Sequence, residues 1–370
     1  MTGSRSLDLR AGELVEVRSE GEILATLDAD GTLDGLPFMP EMLAFCGQRL
    51  RVDKRADKAC DTINYSGSRR LHDTVLLAGA RCGGEAHGGC QARCLLFWKE
   101  AWLRRAGAGA PGDNGHAPGA ALASGSTLQP SCDRDRLVRA TRAVGAPTED
   151  GIRYRCQATD LLRASFPMAW WDVRQYARDV RSGNVRLRAV VAAALFRGFQ
   201  LLLRLRGYRL LVWSYNRVQA WRGGLPYPFP LQGALDKSPR GTLDLQPGEL
   251  VRVKSREEIV RTLNRRNRNH GLSFDPEMVR YCGNVYRVLA RVERVIEEPT
   301  GRMISLTNDC IILDDVVCRA EYSTRRLFCP RSLYPFWREI WLERVNPAEP
   351  TPAAAPECLA GSRGSCGDRT

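Results

Sequence analysis

The sequence predicts an α+β fold in which two tandem small β-barrel modules, each with a closing helix, are joined by a flexible linker and a helical basic segment. Residues Leu7–Val52 recur without a gap at Leu243–Val288, and about half of the aligned positions are identical. Each copy opens on alternating apolar and polar residues, GELVEV and GELVRV, which is the period-two pattern of a half-buried strand. A repeat at a fixed offset indicates two units with one shared structure.

The first copy continues with short elements. A second short strand follows at Glu22–Leu27. Pro40 then begins a helix, because proline and a carboxylate suit a first helical turn. A Cys-Gly pair ends that helix, since glycine is the usual terminator. Strands at Arg49–Val52 and Asp73–Leu77 come next, and the closing helix covers roughly residues 90–104. Short strands with tight turns and little helix are typical of a small barrel.

The second copy repeats this order. It has a further strand at Cys310–Val317 and a closing helix that begins at Cys329. The tryptophans of FWKEAWL recur in FWREIWL, four residues apart in both copies. We expect them to pack against the barrel rather than to stack on a ligand.

Changes in composition divide the chain into five parts. The stretch between the copies begins with Gly, Ala, Pro and Ser and has almost no large apolar residue, so it cannot bury enough surface to offset the entropy of ordering. The C-terminal stretch has the same character, and we expect both to be disordered. The predicted parts are a first copy 7–105, a linker 106–130, a basic helical segment 131–240, a second copy 241–345 and a tail 346–370.

The basic helical segment carries nearly all of the positive charge. Residues 105–240 have 21 Lys/Arg against 9 Asp/Glu, which accounts for +12 of the chain's net +13. Helices are predicted at Phe166–Val180 and within Arg186–Trp221, whose apolar run is broken by arginines. Because that run is apolar on more than one face, burial against protein is favoured over an anionic membrane surface or a nucleic-acid groove. The candidate basic surface consists of Arg186, Arg188, Arg197, Arg204, Arg206 and Arg209.

The cysteines of the first copy are the leading candidates for a metal site. With Cys90 and Cys94 on a helix, both thiols would project from one face, and Cys82 precedes them across a glycine-rich loop that contains His87. Together with Cys60, these side chains form a ligand set that zinc prefers. An iron–sulfur cluster is less favoured, and free thiols without a metal stay open as an alternative.

The cysteines of the second copy allow two interpretations. Cys310, Cys318 and Cys329 either complete a metal site with Cys282 or Cys156, or remain as small buried apolar residues after the metal was lost. Cys329 is expected at the start of a helix, where the dipole favours a thiolate, so it is either a ligand or a reactive cysteine.

The GELV…PEM…CG module resembles uncharacterised bacterial cysteine-containing repeat proteins, and its first ~60 residues resemble SH3-like or KOW-like barrels. The resemblance implies two small barrels and no particular activity. Barrels of this kind usually bind other macromolecules.

Function is predicted from what these features favour together. The four histidines are not duplicated, and no nucleophile elbow, phosphate loop or dinucleotide glycine pattern occurs. The first hypothesis is a non-enzymatic binding or adaptor protein, stabilised by a zinc-thiolate site, with a protein partner. The alternatives are an RNA- or DNA-binding protein that uses the basic segment, and an enzyme that depends on Cys329 or on the metal. Without a recognisable signal peptide or an apolar run long enough to span a bilayer, the expected location is the cytoplasm, with peripheral membrane attachment as an alternative.

Overall fold

The computed structural model describes residues 6–107, 132–142, 151–203, 208–229, 231–323 and 325–345. It has a mixed α+β architecture with several antiparallel sheets, which confirms the predicted class. Apart from its first two residues, the predicted linker 106–130 lies outside the described residues, and so does the predicted tail 346–370.

The first copy is built around a five-stranded antiparallel sheet with strand order β8-β7-β4-β1-β9. Within it, Val15 lies opposite Leu50 and Val75 lies opposite Trp98. Its elements are β1 Leu14–Val17, α1 Glu20–Leu24, β2 Thr32–Leu33, β3 Leu36–Pro37, a 3₁₀ helix Pro40–Phe45, β4 Arg49–Arg55, β5 Lys58–Cys60, β6 Ser68–Arg70, β7 Thr74–Arg81, a 3₁₀ turn Glu85–His87, β8 Leu95–Lys99, a 3₁₀ turn Glu100–Trp102 and β9 Leu103–Arg105.

The middle segment adds four helices and one strand. That strand pairs with β6 and extends the β5–β6 hairpin to three strands. The elements are α2 Arg134–Ala140, β10 Phe166–Met168, α3 Arg174–Arg181, α4 Leu187–Leu202 and α5 Tyr208–Trp221.

The second copy repeats the plan of the first with a four-stranded antiparallel sheet in the order β17-β14-β11-β18. In the described residues, no strand pairing joins the two edges of either main sheet, so a closed SH3-like barrel stays a prediction. The elements are β11 Leu250–Val253, α6 Arg256–Arg261, β12 Arg268–Asn269, β13 Leu272–Ser273, a 3₁₀ helix Pro276–Tyr281, β14 Val285–Arg291, β15 Arg294–Glu297, β16 Arg302–Ser305, β17 Ile311–Leu313, a 3₁₀ turn Glu339–Trp341 and β18 Leu342–Arg344.

The second short run of each copy is helical rather than extended. Ser19 caps α1 by accepting from the N–H of Glu22, whose carboxylate accepts from Ser19 in return, and Ser255 caps α6 in the same way. This reciprocal capping box satisfies N–H groups that would otherwise lack partners at the start of a helix.

The predicted closing helices are wrong. Leu95–Lys99 forms strand β8, and only one 3₁₀ turn separates it from β9. All five residues of β8 are buried, which suits a strand covered on both faces. The four tryptophans at the ends of the two copies are fully buried, as expected for core residues: Trp98, Trp102, Trp337 and Trp341.

A buried carboxylate ties each main sheet to the segment that precedes it. Glu100 accepts hydrogen bonds from the backbone N–H groups of residues 7, 8 and 9 and from the guanidinium of Arg55, at 2.6–3.1 Å. Glu339 makes the same set of bonds in the second copy, at 2.6–2.9 Å. These duplicated acids therefore have a structural role.

The two copies exchange hairpins. The β5–β6 hairpin of the first copy reaches the second copy, where the N–H of Cys60 donates to Sγ of Cys329 at 3.0 Å. The β15–β16 hairpin reaches back, and the N–H of Ile296 donates to Sγ of Cys90 at 3.4 Å. Since Cys60 and Ile296 are equivalent in the repeat, as are Cys90 and Cys329, the exchange is reciprocal. Each cysteine loop is completed by a strand from the other copy.

Candidate functional site

The first site is a cluster of a carboxylate, a thiol and an imidazole that could hold a metal ion. Among the described residues, Glu41, Cys82 and His87 are the group of potential ligands whose ligating atoms all lie within 4.8 Å of one another. Sγ of Cys82 lies 3.4 Å from Nε2 of His87. On the other side of the ring, Nδ1 lies 3.1 Å from Oε1 of Glu41, although the contact is not aligned as a hydrogen bond.

The loop that carries this cluster is held by local geometry. Glu41 follows the proline that starts the first 3₁₀ helix, and its carboxylate accepts from the N–H of Ala86 at 3.1 Å. Gly84 adopts a positive φ of 79°, and a Cβ there would collide with the backbone of Cys90. Glycine is therefore required for the loop to fold back between Cys82 and Cys90.

Cys82 and His87 line a small cavity with a volume of about 40 Å³. Three further cysteines line this cavity: Cys90, Cys94 and Cys156. Burial raises the pKa of Cys94 to about 12 and that of Cys156 to about 11, and it also raises the pKa of Cys82. Buried thiols with raised pKa values stay neutral until a cation deprotonates them.

Cys156 comes from the middle segment, and its neighbour explains its position. Gln157 is buried, and its amide nitrogen donates to the carbonyl groups of Pro37 and Phe97, both at 2.9 Å. The N–H of Phe97 donates back to Oε1 of Gln157 at 2.8 Å. Gln157 thus occupies the edge of β8 and places Cys156 beside the metal-binding candidates of the first copy, not those of the second.

The second site contains Cys60, which the structure separates from the other cysteines of the first copy. Through the hairpin exchange, Cys60 lies against Cys329, and Cys318 lies in the same region. Arg331 holds the position of Cys60 by donating to its carbonyl at 3.2 Å, and it also donates to Thr62 at 2.7 Å. Arg331 is itself buried and pairs with Glu298 of the β15–β16 turn.

Cys329 has the electrostatic surroundings of a thiolate. Burial opposes its ionisation, but the thiol of Cys60, the N–H groups of Arg331 and Cys60, and the guanidinium of Arg331 together lower the pKa of Cys329 to about 7. The hydrogen bond to Cys329 is also the largest cause of the raised pKa of Cys60. The predicted helix start at Cys329 is wrong, because the described residues around it form turns. Hydrogen-bond donors in contact with Cys329, and not a helix dipole, therefore lower its pKa.

This second site opens onto a cavity of about 590 Å³. Its walls carry the three cysteines together with two half-buried arginines, Arg197 and Arg326, and aromatic side chains that include Tyr322. Burial raises the pKa of Glu277, and it raises the pKa of Cys318 to about 12. Within this cavity Cys329 is therefore the thiol most easily ionised.

The remaining candidate ligands of the second copy lie elsewhere. Cys310 packs in a separate apolar cluster with Val292 and Ile312 and accepts a hydrogen bond from Arg338. Cys282 packs against the core of the second copy. Neither Cys282 nor Cys156 therefore lies with Cys318 and Cys329, although the sequence suggests that one of them would. The cysteine that joins them is Cys60.

The candidate basic surface is brought together only in part. Arg186, Arg188 and Arg209 are exposed, whereas Arg204 and Arg206 lie outside the described residues. Arg197 is half-buried, and its guanidinium donates to Gln200 at 2.9 Å and to the carbonyl of Tyr322 at 3.3 Å. Arg197 therefore faces the large cavity of the second site.

The expected burial of the apolar helices is wrong, because no residue of α4 or α5 is buried. Their outward-facing apolar side chains form what we call the α4–α5 surface: Leu187, Val191, Leu195 and Leu202 on α4, and Leu210, Trp213, Val218 and Trp221 on α5. In the described part of the chain, no helix has the length and apolar character needed to cross a bilayer.

Sequence reasoning missed Glu41, Arg331 and the placement of Cys156. Glu41 was explained by its position in a first helical turn, and Arg331 follows Cys329 by only two residues without a pattern of its own. No protein-family model, curated protein or solved structure matches this chain.

Proposed function

We propose that this chain is a peripheral membrane-binding protein whose first copy is stabilised by zinc. The observation that carries the proposal is the α4–α5 surface, in which leucine, valine and tryptophan side chains are exposed beside arginines. Leu195 is 71% exposed, Trp213 is 64% exposed and Trp221 is 86% exposed. Large apolar side chains exposed together on neighbouring elements mark a site of interaction with protein or membrane.

The charge of the region favours an anionic bilayer as the occupant. No Asp or Glu occurs between Asp179 and Asp236, and that interval contains nine arginines. Each basic residue near an anionic membrane surface contributes about 1 kcal/mol. Helices that expose arginines together with tryptophans and leucines can lie in the interface, with the apolar side chains inserted among the lipids and the arginines at the head groups.

A nucleic-acid groove is less well supported by the same side chains. Arginines suit phosphates, and tryptophans suit stacking on bases, but exposed aliphatic residues add nothing to either contact. Leu187, Val191, Leu195 and Leu210 are all at least half exposed. Insertion into lipid explains them, because it removes their apolar area from water.

The test is co-sedimentation of the full chain with vesicles of phosphatidylcholine, alone or mixed with phosphatidylglycerol, at low and at high salt. Binding is expected to the anionic vesicles and to weaken with salt. Changing Arg186→Gln or Arg209→Gln should each weaken binding by about fivefold. Trp213→Ala should weaken it at both salt concentrations.

Two exposed residues outside the middle segment provide matched controls. Arg266→Gln removes an exposed charge from the second copy, and Tyr65→Ala removes an aromatic side chain that is 68% exposed in the first copy. Neither should change vesicle binding. Equal binding to neutral and anionic vesicles, or binding to RNA without binding to vesicles, would overturn the proposal.

Zinc is proposed for the cluster of Cys82 and His87. Tetrahedral coordination by one sulfur and one nitrogen separates the two ligand atoms by about 3.6 Å, and these two atoms are 3.4 Å apart. Glu41 would orient the imidazole from the far side, as carboxylates do at zinc-bound histidines. Cys90, Cys94 and Cys156 line the same cavity and are the thiols available to complete the coordination when the metal binds.

Metal analysis of protein purified without chelator tests this assignment. About one zinc per chain is expected from one closed site, and chelation should lower the melting temperature because metal binding contributes to folding. If the analysis finds iron and an equal amount of acid-labile sulfide, the site holds an iron–sulfur cluster and not zinc. Protein without metal, with a melting temperature that chelator leaves unchanged, would refute the site.

A further inference from the structure

We propose that Cys329 and Cys60 form a dithiol centre that reduces small anionic disulfides bound in the 590 Å³ cavity. The two cysteines come from different copies, and both line that cavity. The N–H of Cys60 donates to Sγ of Cys329 at 3.0 Å, so the two residues are in direct contact. Oxidation would therefore join the two copies by a covalent bond.

The arrangement gives the two thiols different roles. Sγ of Cys329 accepts a hydrogen bond from the backbone N–H of Cys60 at 3.0 Å. Against the effect of burial, the neighbouring Cys60 thiol, backbone N–H groups and the guanidinium of Arg331 lower the pKa of Cys329 to about 7. A thiol whose pKa is close to the ambient pH is the most effective attacking group in disulfide exchange. Cys60, whose own pKa is raised, acts second.

The reaction has two steps that balance without a further reagent. The thiolate of Cys329 attacks one sulfur of the substrate disulfide, which breaks that bond, forms a mixed disulfide and releases one substrate thiolate. Cys60 then attacks the sulfur of Cys329 and gives its proton to the released thiolate. The second substrate thiolate leaves, the Cys60–Cys329 disulfide forms, and two electrons have passed from protein to substrate.

The walls of the cavity determine the class of substrate. Arg197 and Arg326 are half-buried there and present positive charge, while burial raises the pKa values of Asp275 and Glu277 and so disfavours their negative charge. A volume of 590 Å³ is that of an ordinary small-molecule pocket. A disulfide that carries carboxylates fits this lining better than one that carries amines.

The test uses two disulfides of similar size and opposite charge, 3,3′-dithiodipropionate and cystamine, on the reduced full chain. Peptide mapping by mass spectrometry should find a Cys60–Cys329 disulfide, formed about tenfold faster with the anionic probe, as expected for one favourable charge contact near a protein surface. Arg326→Gln should slow the reaction with dithiodipropionate and speed that with cystamine, because it removes a positive charge from the cavity wall.

Variants separate the roles of the cysteines. Cys60→Ser should stop the reaction at a mixed disulfide on Cys329, and Cys318→Ser, which changes the third cysteine of the cavity, should leave the product unchanged. The wild-type chain alone tests the proposal if a variant does not fold. A Cys318–Cys329 disulfide, an unreacted Cys329, or equal rates with the two probes would overturn it.

Discussion

The two cysteine sites have one backbone plan and different chemistry. In the first copy, the N–H of Cys82 donates to the carbonyl of Cys94, and in the second the N–H of Cys318 donates to that of Leu333, both at 2.8 Å. The carboxylates of Glu41 and Glu277 each accept the N–H of the residue 45 positions later. The repeat thus preserves the framework, while the side chains placed on it differ.

One side chain changes the direction in which the pKa of the shared carboxylate is shifted. Burial raises the pKa of both Glu41 and Glu277, but the contact with His87 reverses the effect at Glu41 and lowers its pKa overall. The position that corresponds to His87 is Ser323, which follows Tyr322 as His87 follows Ala86. The pKa of a carboxylate of the same geometry is therefore shifted down in one copy and up in the other.

The exchanged hairpins make the second difference. In the first site the hairpin contributes Ile296, which is apolar, and in the second it contributes Cys60. The first site encloses about 40 Å³ and the second opens onto about 590 Å³. A closed site with an imidazole and several thiols suits a structural ion, and an open site with two neighbouring cysteines suits exchange chemistry.

The largest expected effect tests whether the two frameworks are equivalent. Glu100→Ala and Glu339→Ala should each lower the free energy of unfolding by about 3–5 kcal/mol, because each leaves an arginine and three backbone N–H groups without their acceptor. Each arginine keeps an aspartate partner, Asp57 for Arg55 and Asp309 for Arg291, but Arg55 is 9% exposed whereas Arg291 is 25% exposed, so the loss should be larger in the first copy. Urea denaturation measures both, and a negligible effect of either substitution would contradict the shared role.

The next largest effect tests whether His87 accounts for the difference between the sites. His87→Ala should abolish metal binding and, at free zinc about 100-fold above Kd, remove roughly 2.7 kcal/mol of stabilisation. Ser323→His places an imidazole beside Glu277 and Cys318 and should raise the zinc content measured by mass spectrometry. Ala86→Ser, a small change next to His87, is the control and should leave metal content unchanged. Retention of zinc by His87→Ala would show that the cysteines alone hold it.

Much of the framework follows from local patterns, and much of the sites does not. The opening strand, the helix begun by Pro40 and its end at Gly47, where φ is +76°, follow from alternation and turn chemistry. The prediction of a closing helix failed because apolar residues four positions apart are compatible both with a helix and with a strand that is buried on both faces. Nothing local indicates that Cys60 meets Cys329, because their contact depends on the exchange of hairpins between copies.

The placement of the middle segment shows the same limit. Within Arg186–Trp221 the described residues form the predicted helices α4 and α5. Their all-round apolar character indicates burial, but the structure leaves both without a buried residue. Periodicity describes which faces of a helix are apolar; it does not identify what covers them. That information resides in long-range contacts, such as the one between Arg197 and the carbonyl of Tyr322.

The smallest expected effect is a change in thiol reactivity with little change in stability. The pH dependence of this reactivity should distinguish the thiols of the second site. The pKa of Cys329 is lowered to about 7 and that of Cys318 is raised by burial to about 12, so iodoacetamide should modify Cys329 with a half-maximal rate near pH 7 and leave Cys318 nearly unreacted. The lowered pKa of Cys329 also sets the direction in which folding stability depends on pH. The thiolate of Cys329 stabilises the fold above the ordinary thiol pKa of about 8.5, and this stabilisation is lost as the pH falls through about 7. Cys60→Ala removes a donor and should move the reactivity midpoint to higher pH, whereas Cys310→Ala, in the separate apolar cluster, should not move it. A midpoint near pH 9 in the unmodified chain would show that Cys60 and Arg331 do not activate Cys329.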